Sequence, residues 1–296
     1  MYAAASSYKA KVNKMSIKDT VTIKSGLWEA DICARLGGNV IALRYDGQDV
    51  FRPLSDESQL EINPYIQGAP ILLPANRTYL GKFSFEGKDY ELPITEERSG
   101  SHLHGLVHRQ EFSLVECNSK SVTLKYSNRG EVYPFNFDML VTYETAEDGF
   151  LQKYVIKNTD TCNMPYTFCL HSTFVEPESF SLPLAKKQED DERSIPTGRY
   201  LDLNEQEQKY LTGSPSKGIY VVGYFESAGS TAIIGDYVYD VSENFDYWIL
   251  YNAEGIAGYI CIEPQAGKVN GLNIDGGCVI LSPGEEHTYC TKISRK

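Results

Sequence analysis

The chain has 296 residues, 42% of them hydrophobic and 23% charged, enough to bury a full core. Its net charge of −12 argues against nucleic acid or an anionic membrane as partner. It contains no run of about 18 apolar residues that would cross a bilayer, and its seven cysteines (Cys33, Cys117, Cys162, Cys169, Cys261, Cys278, Cys290) are odd in number and include no C-x-x-C pair. That excludes an obvious zinc ribbon and speaks for reduced thiols in a soluble cytoplasmic protein.

Residues 1–20 read as a poorly packed lead-in without the apolar core of a signal peptide. From there the chain is predicted to be almost entirely strands. Asp19 to Lys24 alternates, as does Leu27 to Ile32, and Asn39 to Tyr45 runs into the hairpin turn Asp46-Gly47. A second hairpin turns at Glu86-Gly87, between Lys82-Phe83-Ser84-Phe85 and Lys88-Asp89-Tyr90-Glu91. Further β-rich segments follow at Glu111 to Cys117, Ser121 to Ser127, Phe137 to Glu144 and Phe150 to Lys157. The second half continues with Gly218 to Phe225, Thr231 to Ile234, Trp248 to Tyr251, Gly258 to Ile262, Cys278 to Leu281 and His287 to Ile293. The best helix candidate is a short turn near Asp56 to Leu60, and the charge run Lys186 to Arg193 reads as a solvated loop. Strands without long helices, repeats or a Gly/Ser/Pro-rich linker predict an all-β sandwich, with residues 21–296 as one domain.

Four segments carry residues suited to chemistry. The first, Gly68 to Thr78, brackets an apolar run between Pro70 and Pro74 and ends in Asn76-Arg77. An Arg there offers a planar fork of donors for hydroxyl or carboxylate oxygens, or is simply a surface residue in a loop. The second, Ser101 to Arg109, holds three of the five histidines. His102-x-His104 with Glu111 has some of the spacing of a cupin-type metal site; a neutral imidazole that both donates and accepts equally suits a sugar pocket. In the third, His171 ends the apolar run Pro165 to Leu170, where partial desolvation would poise its pKa for acid–base work or leave it a hydrogen-bonded core residue. In the fourth, Glu263 ends the apolar run Gly258 to Ile262 ahead of Pro264. Burial there would raise its pKa and improve it as a base, unless the strand end reaches water.

Taken together and in order, these segments resemble the aldose 1-epimerase (galactose mutarotase) family. Pro74-Ala75-Asn76-Arg77 with Gly81-Lys82-Phe83 resembles its P-x-N-R…G-x-F, and Leu103-His104-Gly105 its L-H-G. Cys169 to Phe174 resembles its H-P-Y-F segment, Ile195 to Gly198 its P-T-G, Cys261-Ile262-Glu263-Pro264 its strand-end Glu, and Leu281 to Glu286 its closing L-x-P-G-E. The resemblance implies a large β-sandwich of the galactose mutarotase type and an isomerase of carbohydrate metabolism. Such an enzyme binds a monosaccharide and interconverts its anomers without cofactor or metal, as a monomer or homodimer. By the same resemblance Glu263 is the general base at the anomeric hydroxyl and His171 the acid at the ring oxygen, while Arg77, His104 and Asn76 hold the sugar. The sequence departs from the galactose-type pattern in two places. Ser172-Thr173 follows His171 in place of Pro-Tyr, and the family's Asp-His-Asn segment is replaced around Gly218 to Tyr224. Two alternatives therefore stand beside a free-aldose epimerase: a hexose-6-phosphate epimerase, for which Arg109 is a candidate cation, and a non-catalytic carbohydrate-binding protein.

Overall fold

The structure, a computed structural model, describes residue 17 and residues 19–296. The expected lead-in, residues 1–20, lies outside the described residues except for Ile17, Asp19 and Thr20, and Thr20 already opens the first strand.

The expected all-β sandwich is present, built on two eight-stranded sheets. One takes the strands Ser113–Cys117, Ser121–Asn128, Phe137–Ala146, Gly149–Asn158, Glu286–Arg295, Tyr237–Val241, Thr231–Ile234 and Phe180–Ser181, in that spatial order. Its strands follow the period of two that a one-sided sheet demands. In Phe137–Ala146 the alternate residues Phe137, Met139, Val141, Tyr143 and Thr145 are buried, and Ser121–Asn128 buries Val122, Leu124, Tyr126 and Asn128. Each large apolar side chain so placed contributes about 1.5–3 kcal/mol.

The second sheet orders Pro196–Leu201, Leu184–Asp190, Val222–Ser227, Tyr247–Tyr251, Tyr259–Ala266, Phe168–Leu170 and Ile71–Leu72, with Thr173–Val175 also pairing Tyr259–Ala266. Aromatic rings join the two sheets: Tyr154 to Phe168 at 5.6 Å, Tyr289 to Phe168 at 4.7 Å and Tyr239 to Trp248 at 6.2 Å between centroids. A four-stranded N-terminal sheet, Thr20–Ser25 to Gln48–Asp49, docks on this core through Trp28 against Tyr237 and through the Tyr143 hydroxyl, which donates to Gly38 O at 2.7 Å.

The two turns read from the sequence form hairpins, with Tyr45 opposite Gln48 and Phe85 opposite Lys88. Two expectations are corrected. The charge run Lys186 to Arg193 is a loop only at its end: Leu184–Asp190 is a strand paired on both sides, and residues 191–193 form the turn after it. The strand tolerates its charges because only Leu184 and Gln188 are buried, while Lys187 reaches across to Glu207 at 2.8 Å. The helix near Asp56 lies further along, at Gln59–Ile62, because the Gln59 side chain accepts from the backbone N–H groups of Ser55 and Asp56 and holds them in a turn before it. A helix the sequence reading did not include, Glu205–Lys209, starts on a capping box in which Asn204 and Glu207 satisfy each other's backbone N–H. Among the described residues no helix is long and apolar enough to cross a membrane.

Candidate active site

Central to the second sheet is the strand Tyr259–Ala266, buried along its whole length. Ile260 and Ile262 join the core, so the period of two turns Cys261 and Glu263 to the opposite face. That face is covered by protein as well, leaving Cys261 0% and Glu263 2% exposed. Beside the strand, Phe168–Leu170 and Thr173–Val175 are interrupted at His171-Ser172, where Ser172 O accepts from Ile262 N at 2.9 Å and His171 N donates to Pro70 O at 3.0 Å. The interruption places the His171 ring next to Glu263, with 3.3 Å between Nε2 and Oε1.

A second local arrangement faces this pair. The short strands Arg77–Tyr79 and Ser101–Leu103 pair with Arg77 opposite Leu103. His104 N donates to Asn76 O at 2.8 Å, which sets Asn76, Arg77 and His104 side by side. Asn76, His104 and Gly105 all have positive φ, at 55°, 63° and 63°. At Gly105 this geometry admits only glycine: a Cβ would lie 2.0 Å from Leu73 O.

All five residues singled out from the sequence (Asn76, Arg77, His104, His171 and Glu263) line one cleft of about 460 Å³. Tyr65, Glu96, Arg98 and Tyr224 complete its polar wall. Arg77 is locked by Glu96 through two hydrogen bonds, Nε to Oε2 at 2.7 Å and Nη2 to Oε1 at 2.8 Å, and Nη1 donates to the Tyr224 hydroxyl at 2.8 Å. Ser99 adds a hydrogen bond to Glu96. Burial works against the Glu96 carboxylate, but the bonds from Arg77 and Ser99 more than offset it, and its pKa lies below the ordinary value. Tyr65 packs its ring 4.5 Å from that of His104 and 6.1 Å from that of His171.

The electrostatics of the floor are set by dryness. Burial pushes Glu263 up to about 8, although a hydrogen bond from the Cys169 thiol, 3.7 Å from Oε2, and the charge of Arg77 oppose it. Burial pushes His171 down to about 4. His104 lies well below its ordinary value, through burial and then the nearby His171 and Arg77. Both favoured forms in the resting site are therefore neutral, and a single proton shared between Glu263 and His171 produces either the neutral pair or a carboxylate beside an imidazolium. The second form is a base and an acid side by side, reached without exchange with solvent.

Other sequence candidates fall elsewhere. His102 Nδ1 lies 2.7 Å from Pro93 O, and Glu111 lines a separate cavity of about 660 Å³ together with Arg109, so the cupin-like set His102, His104 and Glu111 does not converge. Arg109 is also absent from the cleft wall; its Nε donates to His108 Nε2 at 3.2 Å. Among the described residues, the one group of potential metal-ligand atoms within 4.8 Å of one another is His171, Cys261 and Glu263. Tyr65, Glu96 and Tyr224 were not singled out from the sequence. Glu96 sits in a polar run, Glu96-Glu97-Arg98, that reads as loop, and Tyr224 is 147 residues from the Arg77 it meets, so no local signal marks either.

The sequence profile of the family described as aldose 1-epimerase matches residues 19–294. The chain is 24% identical to the uncharacterized protein YihR of Escherichia coli K12 over a 292-residue alignment covering 90% of each. Its fold is similar to that of a galactose mutarotase-like protein from Clostridium acetobutylicum, with a TM-score of 0.86 at 22% identity over 94% of this chain and 95% of that one. It is also similar to galactose 1-epimerase from Lactobacillus acidophilus NCFM, with a TM-score of 0.77 at 14% identity over 96% and 97% of the two chains. The all-β sandwich, the order of the motifs along the chain and the profile match agree, and the chain belongs to the aldose 1-epimerase family.

Proposed function

We propose that this protein is an aldose 1-epimerase that interconverts the α and β anomers of a free monosaccharide by acid–base ring opening. The observation that carries this reading is the contact of Glu263 with His171 at the floor of a polar cleft. The anomeric hydroxyl and the ring oxygen are bonded to the same carbon, so a base for one and an acid for the other must be neighbours. Glu263 as carboxylate removes the anomeric proton while His171 as imidazolium protonates the ring oxygen. The C1–O5 bond breaks to give the open-chain aldehyde, rotation about C1–C2 exposes the other face, and the reverse transfers close the ring. Proton transfer and rotation call for no cofactor.

Arg77, His104 and Asn76 supply the hydrogen-bonding groups that would orient the ring, a positioning effect on which the acid–base step depends. Arg77 offers its guanidinium in one fixed direction because Glu96 holds it. We take a neutral sugar, not a phosphorylated one, as part of this proposal. Glu96 places a carboxylate in the wall, Arg77 is committed to it, and Arg98 lies 3.8 Å from the same carboxylate. The desolvated carboxylate–imidazole pair at 3.3 Å is costly to bury and has a use in turnover, which supports an enzyme over a non-catalytic binder.

Polarimetry on freshly dissolved α-D-glucose and α-D-galactose, with subtraction of spontaneous mutarotation, tests the proposal. Faster decay of rotation with the wild type and not with Glu263→Gln supports it. No acceleration on these or other free aldoses, with acceleration on a hexose 6-phosphate, would replace it by the phosphorylated-substrate reading.

A further inference from the structure

Behind the acid–base pair lies a third group that the proposed reaction does not use. Cys261 sits two residues before Glu263 on the same face of the Tyr259–Ala266 strand and is fully buried. Its Sγ, a ring nitrogen of His171 and a carboxylate oxygen of Glu263 all lie within 4.8 Å of one another. Its hydrogen-bonding neighbour is Thr173, whose Oγ1 is 3.4 Å from the sulfur. The Nδ1 atom of His171 is buried and, among the described residues, has no hydrogen-bond partner. A buried imidazole nitrogen normally has one.

We propose that Cys261, His171 and Glu263 form a binding site for a thiophilic divalent cation of the zinc type, and that its occupation switches the enzyme off. One sulfur, one nitrogen and one oxygen donor make a set that suits zinc and excludes magnesium or calcium, which take oxygen ligands. His171 and Glu263 line the cleft, so the fourth position of a tetrahedral ion opens toward the sugar site and takes water. Bonds of about 2.0–2.3 Å place tetrahedral donors about 3.3–3.7 Å apart, so the three side chains need to close by roughly an ångström. Strand spacing holds Cys261 and Glu263 on one face, and the backbone at His171-Ser172 is held by Pro70 and Ile262, so the closure falls to rotation of the three side chains. Binding displaces the thiol proton of Cys261 and any proton on Glu263 to solvent and changes no oxidation state. With the metal in place, Glu263 no longer accepts the anomeric proton and the ligating His171 nitrogen no longer carries one. The metal site itself is independent of the reaction proposed above; the inhibition rests on it.

The test uses the full-length protein and cobalt(II) alone as the spectroscopic probe. One equivalent of cobalt is expected to give a near-ultraviolet thiolate-to-cobalt charge-transfer band together with intense tetrahedral d–d absorption. Cys261→Ser should lose the charge-transfer band and weaken binding by at least the roughly 10- to 100-fold that loss of a supporting partner costs a metal site. Cys261→Ala is the second variant if the serine form does not fold. In the polarimetric assay, zinc should inhibit the wild type reversibly, with activity restored by chelation, while Cys261→Ser retains basal turnover and resists the same zinc concentration. A band that persists in both variants, equal zinc inhibition of wild type and variant, or absence of stoichiometric cobalt binding would overturn the proposal. Because the spectrum is read without sugar, a protein that binds cobalt through Cys261 but, stripped of metal by chelation, accelerates no free aldose would refute the epimerase reading and leave the metal site standing.

Discussion

Glu263 Oε1 lies 3.3 Å from Nε2 of His171, and both side chains are almost wholly buried. Burial favours the neutral form of each, so the pair holds one proton between them over the middle of the pH range. The reactive arrangement, carboxylate and imidazolium, contains the same single proton.

That proton count fixes the pH dependence. As pH falls through about 4, His171 gains a proton while Glu263 keeps its own, and no base remains. As pH rises through about 8, Glu263 loses its proton beside a neutral His171, and no acid remains. The epimerase rate, expressed as kcat/KM, is expected to trace a bell with limbs near these two values, which belong to the pair together. A rate that rises monotonically through the upper limb would show that His171 is not the acid.

Removing either partner is expected to lower kcat by about 10²- to 10⁴-fold in Glu263→Gln and in His171→Asn. Since acid and base act as a unit, the double variant should be little worse than the poorer single one. Polarimetry on all three proteins, with a binding assay for the sugar, checks both points.

Glu263→Gln should also alter stability in a pH-dependent way. The Glu263 pKa is raised in the folded chain, so its protonated form contributes stability that is fully present below the ordinary carboxylate value and is lost as pH rises through about 8. The variant should therefore melt near the wild type in acid and above it in alkali. Thermal melts of the two proteins across this range give the comparison; a variant equally stable or less stable at every pH contradicts burial of an ionisable Glu263.

Glu96 reaches the reaction only through Arg77. Glu96→Gln keeps the shape but removes the charge that holds the guanidinium, so KM should rise by about tenfold or more with a smaller fall in kcat, the loss of a charge-assisted hydrogen bond to a binding group. Steady-state kinetics separate this from a general loss of fold, which would lower kcat through the amount of active protein and leave KM unchanged.

Gly105→Ala tests the turn that presents His104. The added Cβ would meet Leu73 O at 2.0 Å at a backbone φ of 63°. Relief requires the Leu73 and Gly105 segments to part, at a cost of about 2 kcal/mol or more. Denaturant unfolding should show this loss, and residual activity should carry a raised KM because His104 moves with the turn.

Much of this protein could be read locally. Alternation along Asp19 to Lys24 and Leu27 to Ile32 announced strands, and Asp46-Gly47 and Glu86-Gly87 announced hairpins, because side-chain period and turn conformation depend on adjacent residues. The residues Asn76, Arg77, His104, His171 and Glu263, which line one cleft, could be singled out for a similar reason. Each is a polar residue abutting an apolar run or a turn, where burial without a purpose is unfavourable. Where a charged run is balanced by a distant partner, as Lys187 is by Glu207, the same local logic fails and a paired strand reads as a loop. Tertiary structure alone decided that Glu96 restrains Arg77, that Tyr224 meets Arg77 across 147 residues, that Arg109 stays out of the cleft, and that Cys261 lies against the acid–base pair. Those relationships follow from which strands become neighbours in the sheet and which face each turns to the cleft, a choice made by packing the whole core and written in no single segment of the chain.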